Sequence, residues 1–157
     1  MKLSSRARCS TRLLLDLAQH AKEEPVCIGD IAKRQNISVK YLEQLVRHLK
    51  RAGLIVSVRG AKGGHKLAKK PEEISFGELV RLFERESHLV DCILRPEKCP
   101  MSNICLVRSV WEKAARAMYR ELDSITVSSL LAQQSQSQLA EACGSFKRVR
   151  GFVTKTT

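Results

Sequence analysis

Residues 38–64 read SVKYLEQLVRHLKRAGLIVSVRGAKGG. Ser38 is a good N-cap, because its hydroxyl can accept from an early helical N–H. Val39, Leu42, Leu45, Val46 and Leu49 then recur at helical spacing and share one face. Gly53 follows Ala52 as a stop. Beyond it the period changes: Ile55-Val56-Ser57-Val58-Arg59 alternates like a strand, Gly60 to Gly64 is a flexible loop, and His65 to Ala68 reads as the returning strand. A helix to about Ala52 and a hairpin over 55–68 follow. A basic helix running straight into a basic hairpin is the pattern of a winged helix.

Upstream, 4–22 reads as a helix capped by Ser4 or Ser5, with Leu13, Leu14, Leu17, Ala18 and Ala21 inward. Ile28 to Gln35 is a short second helix, and Asn36-Ile37 is a tight turn into the third. That is helix, turn, helix, the DNA-reading arrangement in outline. Downstream, Pro71 closes the wing, and Ser75-Phe76-Gly77-Glu78 has the form of a capping box that opens a fourth helix to about Arg85. Residues 88–105 are irregular and contain Pro96 and Pro100. Val107, Val110, Trp111, Ala114, Ala117, Met118, Leu122 and Ile125 then form an apolar stripe on a long helix, interrupted by Glu121. A stripe this long in a small protein is expected to bury itself on a second subunit; the alternative is that it folds back on its own domain. The expected fold is mainly α: a winged helix-turn-helix domain over 1–85 with a small β-hairpin wing, a cysteine loop over 86–105, a dimerisation helix over 106–132, and a flexible basic tail over 133–157.

The charge is concentrated. Between Lys33 and Lys70 eleven Lys and Arg face the single acid Glu43, a local +10 of the chain's total of +12. The partner this implies is a polyanion. Aromatic residues are only 4% of the chain, which disfavours stacking on single strands. No phosphate loop of the Walker type and no nucleophile–base set is present, so the chain does not read as an enzyme. No secretory signal and no apolar run of roughly 18 residues is visible, so a cytoplasmic protein without a membrane span is expected. On the outer face of the third helix, Gln44 can pair with adenine and Glu43 can accept from cytosine N4, while Lys40, Arg47 and Arg51 suit phosphates. Glu43 could instead form an i,i+4 pair with Arg47. With Ser38 and Tyr41 on the helix and Arg59 and Lys62 flanking the wing loop, these residues form the candidate surface for double-stranded DNA.

Three cysteines, Cys92, Cys99 and Cys105, lie within fourteen residues. Six cysteines in a reducing compartment point to metal or redox chemistry rather than disulfides. The spacing matches no common zinc pattern. Thiolates suit iron–sulfur clusters, which usually take four protein ligands. Three are present, so zinc, a cluster with a fourth donor from elsewhere, and idle thiols all remain open.

The stretches Met1-Lys2-Leu3-Ser4, Ile31 to Gln35, Tyr41-Leu42-Glu43-Gln44-Leu45, Ala52-Gly53-Leu54 and Ser57 to Gly64 resemble the Rrf-type winged-helix transcription regulators, with their IscR-like, NsrR-like and RirA-like branches. The resemblance covers about residues 1–132. It implies a homodimer joined by the long helix, a partly palindromic operator, and an iron–sulfur cluster, 2Fe–2S or 4Fe–4S, on Cys92, Cys99 and Cys105. It also implies that cluster state controls DNA binding, with repression the usual output. The chain departs from the family at the fourth ligand. Where IscR-like members carry a histidine it has Arg108, and where NsrR-like members use an acidic residue of the first helix it has Arg8. Cys9, next to Arg8, is a candidate, as are His88, Asp91 and Glu97 and an exchangeable ligand. Cys27 reads as a small buried or capping residue, and Cys143 as a thiol of the tail.

Overall fold

The computed structural model describes residues 3–21, 23–60, 62–84, 90–93 and 95–133. The expected flexible tail therefore lies outside the described residues, apart from residue 133, which is helical.

Serine caps begin three of the helices. Ser4 accepts from the Ala7 N–H at 3.2 Å ahead of α1 (Ser5–His20). Ser38 accepts from the Tyr41 N–H at 3.4 Å ahead of α3 (Val39–Arg51). Between them, α2 (Ile28–Gln35) ends on Asn36 in the left-handed conformation, φ 51°. Leu13, Leu14 and Leu17 of α1, Ile31 of α2, and Leu42, Leu45 and Leu49 of α3 are all essentially fully buried in one core. Each such leucine is worth about 2–5 kcal/mol against alanine. Val39, expected in that face, is 41% exposed. It is the first residue of α3, one turn ahead of Leu42, and the core does not reach it.

The hairpin forms as expected from β1 (Ile55–Val58) and β2 (Gly64–Leu67), antiparallel, with Ile55 opposite Leu67 and Ser57 opposite His65. Only Ile55 of β1 is buried; Val56 and Val58 are about two-fifths exposed because the wing projects beyond the core. An unexpected partner fixes its base. Val26, in the α1–α2 connection, bridges to His65, with N–H to oxygen distances of 3.0 and 2.8 Å in the two directions. A Cβ on Gly64 would collide with the Val26 carbonyl, so this approach requires glycine.

α4 (Phe76–Phe83) opens on Ser75, which accepts from the Glu78 N–H at 3.0 Å. Only this half of the expected capping box forms, because the Glu78 carboxylate is engaged by Lys69 at 3.0 Å. Arg85, the expected end of this helix, lies outside the described residues. Short 3-10 turns at Asp91–Ile93 and Pro96–Lys98 lead to α5 (Arg108–Ser124), and residues 127–133 are helical again.

α5 packs on α4 by a face that shares only the C-terminal end of the stripe, at Leu122. Ala115 is its buried residue, with Glu112, Tyr119 and Leu122 half-buried along the same side. Arg81 of α4 donates a two-pronged pair of hydrogen bonds to Asp123, at 2.7 and 2.6 Å, and lies 4.7 Å from the Tyr119 ring centroid. A Cβ on Gly77 would collide with Asp123, so the two helices meet at van der Waals limit. Phe76 and Val127 close the joint with backbone bonds to Ile125 and Ile74. The expected stripe lies about a third of a turn away from this face. Val107, Val110 and Trp111 are 50%, 55% and 41% exposed, and Ala114 and Ala117 are exposed with them. That half of the stripe is left exposed among the described residues.

Candidate nucleic-acid interface and cysteine loop

On α3, Lys40, Glu43, Gln44, Arg47 and Arg51 are exposed and Tyr41 is half-buried. Ser38 is exposed at the helix start, its hydroxyl engaged as the cap. The expected alternative for Glu43 is not seen: Arg47 Nε reaches the Glu43 carbonyl oxygen at 3.4 Å, and the Glu43 carboxylate forms no ion pair among the described residues. Arg59 is exposed just after β1, and Lys62 lies 3.4 Å from Glu24 with both side chains largely in solvent.

Between α3 and the hairpin runs an open groove of about 340 Å³, lined by Glu43, Arg47, Lys50, Ser57 and His65. Lys50, Ser57 and His65 were absent from the candidate surface read from sequence. Period-two alternation could have found the last two, since they sit opposite each other two residues beyond the Ile55–Leu67 pair. The His65 ring is 3.1 Å from the Ser57 hydroxyl, and burial, then the nearby Lys50 charge, push its pKa down. With the Ser57 hydroxyl it presents hydrogen-bonding groups to whatever enters the groove. Arg6 and Arg8 of α1 also lie near this surface. Burial and then Cys9 raise the Tyr41 phenol pKa while Arg6 and Arg8 pull it down, which places the N-terminal end of α1 beside the start of α3.

The positive charge is also smaller than the sequence count. Arg34 is held by Asp16 at 2.6 Å, Lys69 by Glu78 and Lys62 by Glu24. All three acids lie outside 33–70.

Cys92 lies in the 91–93 turn, Cys99 ends the 96–98 turn, and Cys105 precedes α5; all three are free and half-buried. Local backbone bonds shape the loop: Cys99 N–H to the Pro96 oxygen at 3.1 Å, Ser102 N–H to the Cys99 oxygen at 3.0 Å, and Arg108 N–H to the Cys105 oxygen at 3.3 Å. The 91–93 turn packs on α5. Arg108 lies with Nε 3.2 Å from Glu112 and Nη1 3.5 Å from the Ser102 carbonyl oxygen, so it braces the loop from within α5. By donor chemistry three soft thiols suit a cluster or zinc. Among the described residues, however, no three His, Cys, Asp or Glu side chains converge on a metal position. Cys9 is not brought to the loop within its subunit; it packs at the edge of the core near Tyr41. Asp91 and Glu97 are exposed, and His88 lies outside the described residues. Cys27 does take a capping position, ahead of α2, but is exposed rather than buried and makes no side-chain cap bond. A larger cleft, about 1100 Å³, opens between α4 and α5 beside Ile93, but most of its charges are paired, Arg81 with Asp123 and Glu112 with Arg116.

A helix-turn-helix with an attached basic hairpin is thus in place, and comparison with known proteins gives it a family. The model of the Rrf2 family, described as an iron-dependent transcriptional regulator, matches residues 3–133. The chain belongs to the Rrf2 family. Its members are DNA-binding transcription regulators and not enzymes. The Rrf2 protein of Nitratidesulfovibrio vulgaris is 48% identical over 135 residues, 86% of this chain and 90% of that protein. The solved structure of T. potens IscR matches with a TM-score of 0.72 at 36% identity, covering 88% of this chain and 91% of that one. CymR of B. subtilis, described as the global cysteine regulator, matches with a TM-score of 0.71 at 32% identity, covering 85% and 98%. No helix among the described residues is long and apolar enough to cross a membrane.

Proposed function

We propose that this Rrf2-family regulator binds a partly palindromic operator as a homodimer, and that an iron–sulfur cluster on Cys92, Cys99 and Cys105 sets its operator affinity. The observation that carries the reading is the placement of the cysteine loop. Three free, half-buried thiols sit on a segment packed against α5, whose uncovered stripe at Val107, Val110 and Trp111 is the surface for the second copy. α3 and the wing read DNA through Lys40, Tyr41, Glu43, Gln44, Arg47, Arg51, Arg59 and Lys62, with Ser38 capping the reading helix. A symmetric pair presents two such helices to successive major grooves.

A bound 2Fe–2S or 4Fe–4S cluster supplies a redox- and iron-responsive centre; the protein supplies three thiolates and a loop that must draw together to present them. Arg108 offers no donor. Cys9 stands near Tyr41 in its own subunit, so it serves as a fourth ligand only from the second copy, with Asp91 and Glu97 the local alternatives.

One observation favours a second reading. The family fold is shared with a protein described as a cysteine regulator, and the three thiols do not converge. In that reading, as in a zinc-stabilised one, DNA binding stands and the cluster does not. An anaerobic absorption spectrum with iron and sulfide assays separates them, followed by operator binding of the holo protein and of Cys92→Ser at one salt concentration. The cluster reading expects a visible chromophore that Cys92→Ser abolishes, and an affinity change of at least about tenfold, roughly 1.4 kcal/mol of coupling. A colourless protein, or equal affinities, sinks it.

A further inference from the structure

Asp16 is the one charged residue buried among the described residues, 1% exposed on α1. Its carboxylate accepts from Arg34 Nη2 at 2.6 Å and Nε at 3.0 Å, and from Gln35 Nε2 at 2.9 Å. One turn earlier on α1, Arg12 donates from Nε to Gln35 Oε1 at 3.0 Å and from Nη2 to the Gln35 carbonyl oxygen. Arg12 and Asp16 are four residues apart and so share a face of α1. Together they grip the last two residues of α2. The next residue is Asn36, whose left-handed φ of 51° turns the chain toward Ser38 and the start of α3.

The Asp16 carboxylate is buried while the Arg34 side chain is about one-third exposed, and such a pair is a weak source of stability, because apolar pairs of similar volume often do as well or better. What it adds is direction. Two parallel N–H···O bonds fix the rotation of a guanidinium on a carboxylate, whereas packed leucines tolerate sliding. The grip acts on the two residues from which the turn departs, and no member of it lies on α3 or the wing.

We propose that Arg12 and Asp16 are positioning residues for DNA reading: by locking Arg34 and Gln35 against α1 they set the direction in which α3 leaves the turn. The proposal rests on α3 being the reading helix. Base edges demand close geometry from Gln44 and its neighbours, while long Lys and Arg side chains follow a phosphate through a small tilt. Loosening the grip therefore lowers operator affinity more than affinity for random DNA. Arg34, engaged by Asp16, acts here through the turn and not as a phosphate contact.

The test measures operator and random-duplex affinity at one salt concentration, with the thermal midpoint, for Arg12→Met and for the double variant Asp16→Leu with Arg34→Met. The double variant is expected to keep or raise the midpoint while its operator-to-random ratio falls about tenfold, the scale of one good base contact. Arg12→Met leaves the buried pair in place and is expected to lower the ratio about threefold with an unchanged midpoint. A double variant that keeps both midpoint and ratio overturns the proposal, since the network is then only structural. Equal losses on operator and random DNA for Arg12→Met overturn it too, as that is the signature of a lost phosphate contact. If the double variant does not fold, Arg12→Met decides alone. Gln44→Ala in the same assay guards the premise: if it too leaves the ratio unchanged, α3 is not the reading helix, a different failure from this one.

Discussion

In α3 the exposed candidate DNA contacts stand on a rod whose other side, Leu42, Leu45, Val46 and Leu49, is sunk in the core; between Asp91 and Cys105 the three thiols sit on or beside short turns held by backbone bonds spanning three or four residues. The first arrangement holds a fixed surface for a partner of fixed shape, the DNA duplex. The second leaves half-buried donors on a segment with little core beneath it; Met101 and Ile104 are 57% and 69% exposed. Segments short of buried apolar contacts open at low cost. One half is thus suited to presenting a surface and the other to changing on demand, and the α4–α5 joint at Gly77, Arg81 and Asp123 connects them.

The largest expected effect tests that asymmetry directly. Leu45→Ala should cost about 2–5 kcal/mol in chemical denaturation. Ile104→Ala should shift the same curve by no more than about 0.5 kcal/mol, as exposed substitutions do. Similar losses for both would erase the distinction. Next comes Trp111→Asp. It should leave the helical spectrum intact and weaken the proposed dimer by at least about 2 kcal/mol, roughly thirtyfold, because assembly would bury a charge without a partner. Sedimentation at micromolar concentration measures it, and an unshifted dimer removes the stripe from the interface.

On the reading surface, Gln44→Ala should cost about 1–3 kcal/mol on the operator with little change on random DNA, while Arg59→Ala should reduce the salt slope by about 1 on both. Competition binding across a salt series distinguishes them, and interchanged behaviour would reassign base reading to the wing.

The smallest effect is acid sensitivity. Burial pushes the Asp16 carboxyl up, but the hydrogen bonds from Arg34 and Gln35 and the charges of Arg34 and His20 together outweigh it, leaving the pKa below the usual carboxylate value. A depressed folded pKa contributes stability that is present above the unfolded value and lost as pH falls through the folded one. The acid limb of the stability curve should therefore flatten in Asp16→Asn relative to wild type. A steeper limb in the variant would put the net shift on the other side.

α3 and the wing could be read before any coordinates because each level agrees there: the cap at Ser38, the stripe of Leu42, Leu45 and Leu49, and the change of period at Ile55. The Asp16 network could not, since its partners are 18 and 19 residues away and an aspartate in a helix ordinarily reads as a solvated face. For the same reason Arg34, Lys62 and Lys69 were counted as free charge although their acids lie elsewhere in the chain. In α5 the long apolar stripe drew attention from the face that packs on α4, where the contact is made by an alanine, an aromatic ring and an ion pair. Pattern reading favours large aliphatic residues, and this joint has few. The three cysteines stand out by their closeness in sequence, but not where their donors point, because irregular loops have no period to fix it.

The missing side chain at Gly77 has a mechanical consequence. With Asp123 seated where a methyl group would be, α5 and α4 touch here with no room for a larger residue, and this is the natural pivot for any tilt of α5. The helix is then a lever, with its fulcrum at Asp123 and its long arm reaching Arg108, about 22 Å away at 1.5 Å per residue. A displacement of about 1 Å at the cysteine end is a swing of about 3° at the fulcrum. In the proposed reading, a change in the cysteine loop would reach the DNA-binding half as an angle.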